Sequence, residues 1–380
     1  MIHLPKSAYT SCDWYDREMR TLFSNTWQFC GFVEDLADPG DWLTVQVGRH
    51  NLLVVKGRDH RLRAFHNLCR HRGTQLLRAT GKSEKAITCP YHRWTYSLNG
   101  ELLSVPERQR EFPDLDLKKF CLHRASVETW LGMIWVHPKP DAPGLMHWLR
   151  DVPDHIGPHR PEELVPYPEG ATDHEIAANW KIVVENYIDG YHLAHLHADT
   201  LNMYWHARQE SRFIGPHFVF YEPLSPEYEA NLEKMAPMPL IDHFTPEKPV
   251  GAYVPMLFPN LGIAANETMW SIFHVIPLAP DRTRVVTRTR VMPVSELAFY
   301  RQYLKSAQYY PSSETSGDDP LASGNFIDED IYACEQQQKS LASPLFSVGA
   351  TAKNLEAAVV QFQEHVHAHV TAVPSAATEV

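Results

Sequence analysis

HNLCRHRGTQL, residues 66–76, sets Cys69 and His71 one residue apart, and TCPYHRW, residues 88–94, sets Cys89 and His92 two residues apart. Seventeen residues separate the two pairs. Four soft or borderline ligands arriving as two short pairs are metal chemistry. A tetrahedral zinc accepts two thiolates and two imidazoles, but structural zinc pairs favour about two to four residues between ligands, and Cys-x-His is tighter than that. A [2Fe-2S] cluster of the Rieske kind takes two cysteines on one iron and two histidines on the other. An alternating Cys/His pair on each of two loops reaches both irons directly. Neutral imidazoles in place of two thiolates also reduce the negative charge of such a cluster and raise its potential. Tyr91, Trp94 and Tyr96 stand close enough in sequence to shield it from water.

A second constellation lies in NWKIVVENYIDGYHLAHLH, residues 179–197, where His192, His195 and His197 follow Glu185 and Asp189. A mononuclear Fe(II) that activates dioxygen wants two imidazoles and one carboxylate on one face, with the opposite positions open. The segment reads as a helix. Helix geometry by itself groups Asp189, His192 and His195, because residues three apart share a face whereas 192 and 197 diverge by about 140°.

The elements around these residues change character along the chain. SCDWYDREMRTLFSNTW opens with an N-cap candidate, Ser11 or Asp13, followed by apolar residues at helical spacing. From Asp41, β-rich runs (Leu43, Val45, Val47; Leu52 to Val55; Leu62, Ala64, Phe65) are separated by Gly-Arg turns, and Asn99-Gly100 is a hairpin signal. Proline-rich HPKPDAPG and LVPYPEG mark a boundary. ETMWSIFHVIPLAPDRTRVVTRTRVMP reads as two strands paired around APDRT, residues 311–325 as a polar low-complexity loop, and DEDIYACEQQQKSLAS and NLEAAVVQFQEHVHAHV as closing helices. The expected architecture is α+β: an N-terminal helical segment of the catalytic domain over 1–39, an antiparallel β domain carrying the cluster over 40–145, and a catalytic domain with a central antiparallel sheet flanked by helices over 146–380.

GDWLTVQVG, NLCRHRG, CPYHRWTYSLNGEL and the region around residue 197 resemble the large (α) subunits of the Rieske non-haem iron oxygenases, and the resemblance returns near the C-terminus. It assigns Cys69, His71, Cys89 and His92 to the [2Fe-2S] cluster. The family's acidic-x-x-His-x-x-x-x-His pattern falls on Asp189, His192 and His197, so the resemblance chooses His197 over His195 and requires the helix to break or bulge after His192. FIDEDIYACEQQQKSLAS is similar to the C-terminal segment of the choline, betaine and carnitine oxygenase branch, with Glu329-Asp330, Glu335, Gln338, Leu341 and Ser343 in register. That register makes Asp330 the third iron ligand, ahead of Asp328. Asp189, by the same resemblance, bridges a cluster histidine to an iron histidine across a subunit contact, along His92, Asp189 and His192, which implies a ring-shaped oligomer, commonly a homotrimer. Many members carry Gly after the second cluster histidine, where this chain has Arg93.

The implied activity is that of a terminal oxygenase taking electrons from NAD(P)H through a separate reductase, with or without a ferredoxin, to hydroxylate or demethylate a small substrate. The C-terminal match tilts the substrate toward a quaternary-ammonium or N-methyl compound, with ring hydroxylation of an aromatic acid as the alternative. Tyr204, Trp205, Phe218, Phe220, Tyr253, Phe258, Trp270 and Phe273 lie in the half expected to form the pocket. An electron-transfer protein without oxygenase activity would need only the β unit, of ~100 residues, and a zinc-stabilised binding module would lack the second motif. No Gly-rich dinucleotide fingerprint is present, so the pyridine nucleotide belongs to a partner.

Composition agrees. The chain has 380 residues, a net charge of -11, 44% hydrophobic and 21% charged residues, a size that favours two domains and a balance that disfavours a general nucleic-acid surface. Six scattered cysteines suit thiolate ligands in a reducing compartment better than a disulfide framework. Without a signal-like N-terminus or a run of ~20 apolar residues, the expectation is a cytoplasmic protein with no membrane partner.

Overall fold

The structure is a computed structural model that describes residues 4–83, 85–309 and 319–372; residues 311–318 of the expected polar loop lie outside the described residues. The chain divides into two compact units, one formed by residues 17–148 and the other by the N-terminal residues to Asp16 together with 149–373. Residues 17–39, expected to accompany the catalytic domain, therefore cluster with the β-rich unit. The reason is β1 (Gln28–Phe32), which pairs antiparallel with β10 (Met133–His137). No helix among the described residues is long and apolar enough to cross a membrane.

The smaller unit is built on an antiparallel sheet of order β1-β10-β9-β4-β3-β2-β5, with β2 Asp41–Val47, β3 His50–Lys56, β4 Leu62–His66, β5 Thr80–Lys82 and β9 Arg124–Trp130. Strand β3 shows why LLVV is continuously apolar. Leu52 and Val54 enter one core with Leu43, Ile134 and Val136, while Leu53 and Val55 enter another with Phe65, Trp94 and Tyr96, so both faces of the strand are covered. Above the second core stands a small sheet of β6 (Ile87–Thr88), β7 (Thr95–Tyr96) and β8 (Leu102–Ser104). Its β7–β8 turn uses Gly100 at φ 85, a left-handed conformation that glycine adopts without a Cβ penalty, and the Phe65 ring leaves no room there for a side chain.

The larger unit has the expected central antiparallel sheet, of order β11-β18-β17-β16-β14-β13-β12. The strands are β11 Val165–Ile176, β12 Glu210–Ile214, β13 His217–Pro223, β14 Gly251–Tyr253, β16 Leu261–Ala265, β17 Met269–Ala279 and β18 Arg282–Val291, with the short β15 (Met256–Leu257) bridging β13 and β16. The β17–β18 hairpin turns at Pro280-Asp281, as its sequence signal requires. Helices α1 (Ser7–Thr10), α2 (Trp180–Ile188), α3 (Leu193–Leu196), α4 (Phe326–Ser340) and α5 (Ala357–Thr371) complete the part of this unit that matters for the site.

Side chains of α4 tie it to the start of α2. Glu335 Oε1 accepts the N–H of Ala177 at 3.1 Å, and Gln338 Oε1 accepts that of Asn179, the N-cap of α2, at 2.9 Å. The first turn of α4 is thereby held alongside the last turn of α2. Glu185, one of the acidic residues of the His-rich segment, points elsewhere. It is buried between α1 and α5, where Tyr9 Oη donates to its Oε1 at 2.6 Å and Gln363 Nε2 donates at 3.1 Å. Burial pushes this carboxyl up from 4.5 to about 7, although both hydrogen bonds and the nearby Lys181 charge oppose the rise. The fold favours the protonated form, so the stability that Glu185 contributes is present below about pH 4.5 and is lost as the pH rises to about 7. Glu185→Gln is expected to flatten this dependence and to exceed the parent in stability by about 1–3 kcal/mol at about pH 8, measured by urea unfolding at matched pH values.

Candidate metal centres

In the smaller unit the two Cys/His loops descend from β4 to β5 and from β6 to β7. Cys69 and Cys89 are 2% and 1% exposed, and the two thiols lie within hydrogen-bonding distance of one another. The imidazoles pair separately, with His71 Nδ1 and His92 Nδ1 facing at 3.2 Å. Two thiols on one side and two ring nitrogens on another is the division of donors that a [2Fe-2S] cluster with unlike irons requires. A tetrahedral zinc would instead draw all four atoms to one point. Among the described residues, the group whose donor atoms all converge within 4.8 Å is His192, His197 and Asp330, and not this one.

The aromatic neighbours divide their tasks. Trp94 stacks on His71 at 4.8 Å with rings 8° apart. Tyr96 Oη lies 3.3 Å from Cys69 Sγ and accepts the Arg70 N–H at 3.0 Å. Tyr91 touches His92 but is 58% exposed, so it shields little. Arg93 has φ 61, which accounts for the glycine common at this position: the turn after the second histidine enters the left-handed region, and a side chain there costs ~1–2 kcal/mol. Arg93 itself is exposed and displaces no ligand.

In the larger unit the expected single helix over 179–197 is two helices. Helix α2 stops at Ile188, four residues before the expected break after His192. Asp189 adopts an extended backbone and its Oδ1 accepts the Tyr191 N–H at 2.7 Å, a side-chain turn that competes with helix continuation. Helix α3 is then one turn, with His192 at its N-cap and His197 at its C-cap. The break turns both rings to the same side, 5.0 Å apart between centroids. His195 is exposed and packs against Tyr191, so the helical-face grouping with His195 does not form.

Both rings direct Nε2 at one carboxylate oxygen. Asp330 Oδ1 lies 3.1 Å from His197 Nε2 and 3.6 Å from His192 Nε2, and accepts Asn186 Nδ2 at 3.1 Å. Each Nδ1 is held from behind. Asp189 Oδ2 takes that of His192 at 3.1 Å, and Glu329 Oε2 takes that of His197 at 2.6 Å while also accepting Thr200 Oγ1 at 2.8 Å. Carboxylates on the outer nitrogens fix the tautomer that leaves both Nε2 lone pairs for a metal. Burial lowers the His197 pKa, but Asp330 and Glu329 outweigh it and raise the value; the same negative field favours a divalent cation. Asp328 lies one residue before this pair on α4 and, among the described residues, is not part of the converging group. Glu329 as the partner of His197 is a role that sequence spacing had no means of separating from that of Asp330.

The three residues form part of the wall of a cavity of about 320 Å³. Of the eight aromatic residues named from sequence, Tyr204 and Phe220 line it, together with Tyr187, Tyr228 and Phe326. Phe218, Tyr253, Phe258 and Trp270 are buried outside it, Trp205 is exposed under Arg208, and Phe273 stacks behind Tyr187.

Residues 26–126 match the family model of the Rieske [2Fe-2S] domain, and residues 165–372 match that of the ring hydroxylating alpha subunit catalytic domain. The carnitine monooxygenase oxygenase subunit of Acinetobacter pittii is 30% identical over 214 residues, 54% of this chain and 57% of that protein. The glycine betaine monooxygenase oxygenase subunit of Chromohalobacter salexigens is 34% identical over 200 residues, 52% of this chain and 44% of that protein. The matches thus span about half the length of these relatives. Among solved structures, the quaternary ammonium Rieske monooxygenase CntA in complex with L-carnitine superimposes with a TM-score of 0.70 at 22% identity, covering 96% of this chain and 95% of the other. Naphthalene 1,2-dioxygenase from Rhodococcus sp. gives 0.73 at 20% identity, covering 98% and 95%. The two domain matches, which imply a Rieske cluster and a mononuclear iron, together with this fold, place the chain in the family of Rieske-type ring-hydroxylating oxygenase alpha subunits.

Proposed function

We propose that this chain is the terminal oxygenase component of a Rieske non-haem iron system, in which dioxygen and electrons from a separate reductase serve to hydroxylate or oxidatively demethylate a small organic substrate. The observation that carries the reading is the convergence of His192, His197 and Asp330 on the wall of a cavity in a chain that also holds a divided Cys/His donor set. An electron-transfer protein has no use for the first of these. Cys69, Cys89, His71 and His92 would hold the [2Fe-2S] cluster, and His192, His197 and Asp330 the Fe(II). When bound, the two groups supply single electrons and dioxygen activation.

The chain's own residues do the positioning. Glu329 and Asp189 keep the outer ring nitrogens of His197 and His192 protonated, so the inner nitrogens remain donors. Asn186 steadies Asp330. Tyr96 donates to Cys69 Sγ once that sulfur is a thiolate, which stabilises the more reduced state. Asp189, with 19% of its side chain exposed, keeps an accessible edge with which to meet His92 of the partner subunit. That contact is the proposed electron route, and it requires an oligomer, with a homotrimer the arrangement we favour. The names of the carnitine and glycine betaine relatives support a quaternary-ammonium or N-methyl substrate.

The test is low-temperature EPR of the dithionite-reduced protein with iron and acid-labile sulfide counted on one sample. A rhombic signal with average g below the free-electron value is expected, and a silent, zinc-containing sample would overturn the proposal. His197→Ala is expected to lose the mononuclear iron and spare the cluster signal. Asp189→Ala should retain both metals and lose turnover by about 100-fold; retention of full activity would remove the electron route. Tyr96→Phe is expected to lower the cluster midpoint potential by roughly 50 mV, the loss of one charge-assisted hydrogen bond to sulfur, as read by redox titration.

A further inference from the structure

The cavity beside His192, His197 and Asp330 has an unusual charge content. Among its described lining residues there is no Lys and no Arg. The metal position is already faced by Asp330, with Glu329 and Asp189 behind the two rings. Away from it, the cavity wall carries two further carboxyl groups, Glu222 and Glu267, each 3% exposed.

These two differ in how they are satisfied. Glu222 Oε1 receives His206 Nδ1 at 2.8 Å. Glu267 Oε1 accepts Tyr228 Oη at 2.9 Å, but its Oε2 is buried with no hydrogen-bond partner. Nor is Glu267 a loose side chain that happens to point inward. It sits in the turn between β16 and β17, where Asn266 Oδ1 accepts the N–H groups of Thr268 at 2.9 Å and Met269 at 3.0 Å, and the Glu267 carbonyl accepts the Ile241 N–H at 2.8 Å. The remaining polar side chains are engaged: Asn186 with Asp330, Thr200 with Glu329, Asn266 with Tyr204 and Thr268. A buried carboxyl oxygen without a donor is rare in folded proteins and calls for a ligand or other explanation.

We infer that Glu267 anchors the substrate through a positively charged amine N–H, and that the substrate carries no carboxylate. This rests on the oxygenase reading of the site and narrows its N-methyl substrate class to protonatable amines. Away from the two histidines, a carboxylate would enter an apolar space facing two carboxyl groups, with neither Lys nor Arg among the described lining residues. A quaternary ammonium brings positive charge but no hydrogen to donate to Oε2. A protonated amine brings both, while Leu201, Met238, Ala252 and Val254 receive its hydrocarbon part. Burial raises the Glu267 carboxyl above its ordinary range, and a cation at Oε2 restores the charged form.

The test is anaerobic calorimetry on the protein loaded with both metals, using N,N-dimethylcyclohexylamine, N,N,N-trimethylcyclohexylammonium and cyclohexanecarboxylate as probes. The amine is expected to bind at least tenfold more tightly than the quaternary ion, with no detectable heat from the carboxylate. Glu267→Gln should weaken the amine at least tenfold. Carboxylate binding equal to that of the amine, no amine binding at all, or unchanged amine affinity in Glu267→Gln would overturn the inference. Cluster absorption reports the folding of the variant, and if it does not fold, the ranking of probes on the parent decides. Iron and sulfide content separate the two levels: a protein with both centres intact that ignores the amine refutes the substrate inference alone, whereas one without the mononuclear iron refutes the oxygenase reading.

Discussion

The hydrogen bonds that the outer nitrogens of two histidines donate to carboxylates are the constraint on which the larger unit is organised. An imidazole offers one donor and one acceptor when neutral, and only a fixed tautomer makes it a dependable ligand. Glu329 at 2.6 Å from His197 Nδ1 and Asp189 at 3.1 Å from His192 Nδ1 provide that fixation. With both inner nitrogens facing Asp330, three negative side chains surround two rings. Such an arrangement is electrostatically costly by itself and is suited to a cation.

Much of the secondary structure serves this geometry. Asp189 ends α2 with its own side chain, and the single turn of α3 then places His192 and His197 at its two caps rather than on one helical face. Glu335 and Gln338 bind backbone amides at the start of α2, so that the far end of α4, with Glu329 and Asp330, lies against the far end of α2. Glu329 closes the first turn of α4, where the macrodipole also favours negative charge, and Asp330 follows it directly. One helix supplies, from adjacent positions, the carboxylate that faces the two inner nitrogens and the carboxylate that orients an outer one.

The smaller unit solves its problem differently. Its Cys/His pairs are local, delivered by two turns above a core of Phe65, Trp94 and Tyr96, and their neighbours are a tyrosine hydroxyl and a stacked indole rather than carboxylates. Arg93 shows that a left-handed turn residue is tolerated without glycine when its side chain is exposed and the surrounding pairs hold the loop.

What the sequence by itself determined was whatever short spacing controls. Cys69-x-His71 and Cys89-x-x-His92 are each set within one turn, and the β-runs and the β17–β18 hairpin follow from side-chain alternation and turn residues, so the two Cys/His pairs and the antiparallel units were legible directly. The resemblance at 329–343 pointed to Asp330, but no local rule separates Asp328, Glu329 and Asp330. Only the tertiary structure decided that the last meets the inner nitrogens and the middle one the outer nitrogen, across 132 and 133 positions of chain. It likewise decided for His197 over His195, because a helix period extrapolated through Asp189 fails where that side chain takes over the Tyr191 amide. Glu185 and Glu267 are both ordinary acidic residues in sequence. Packing gave one a tyrosine and a glutamine on its Oε1, and left the other with a bare oxygen on a cavity wall. Propensity and spacing act over a few residues, whereas burial and partners are properties of the folded surroundings.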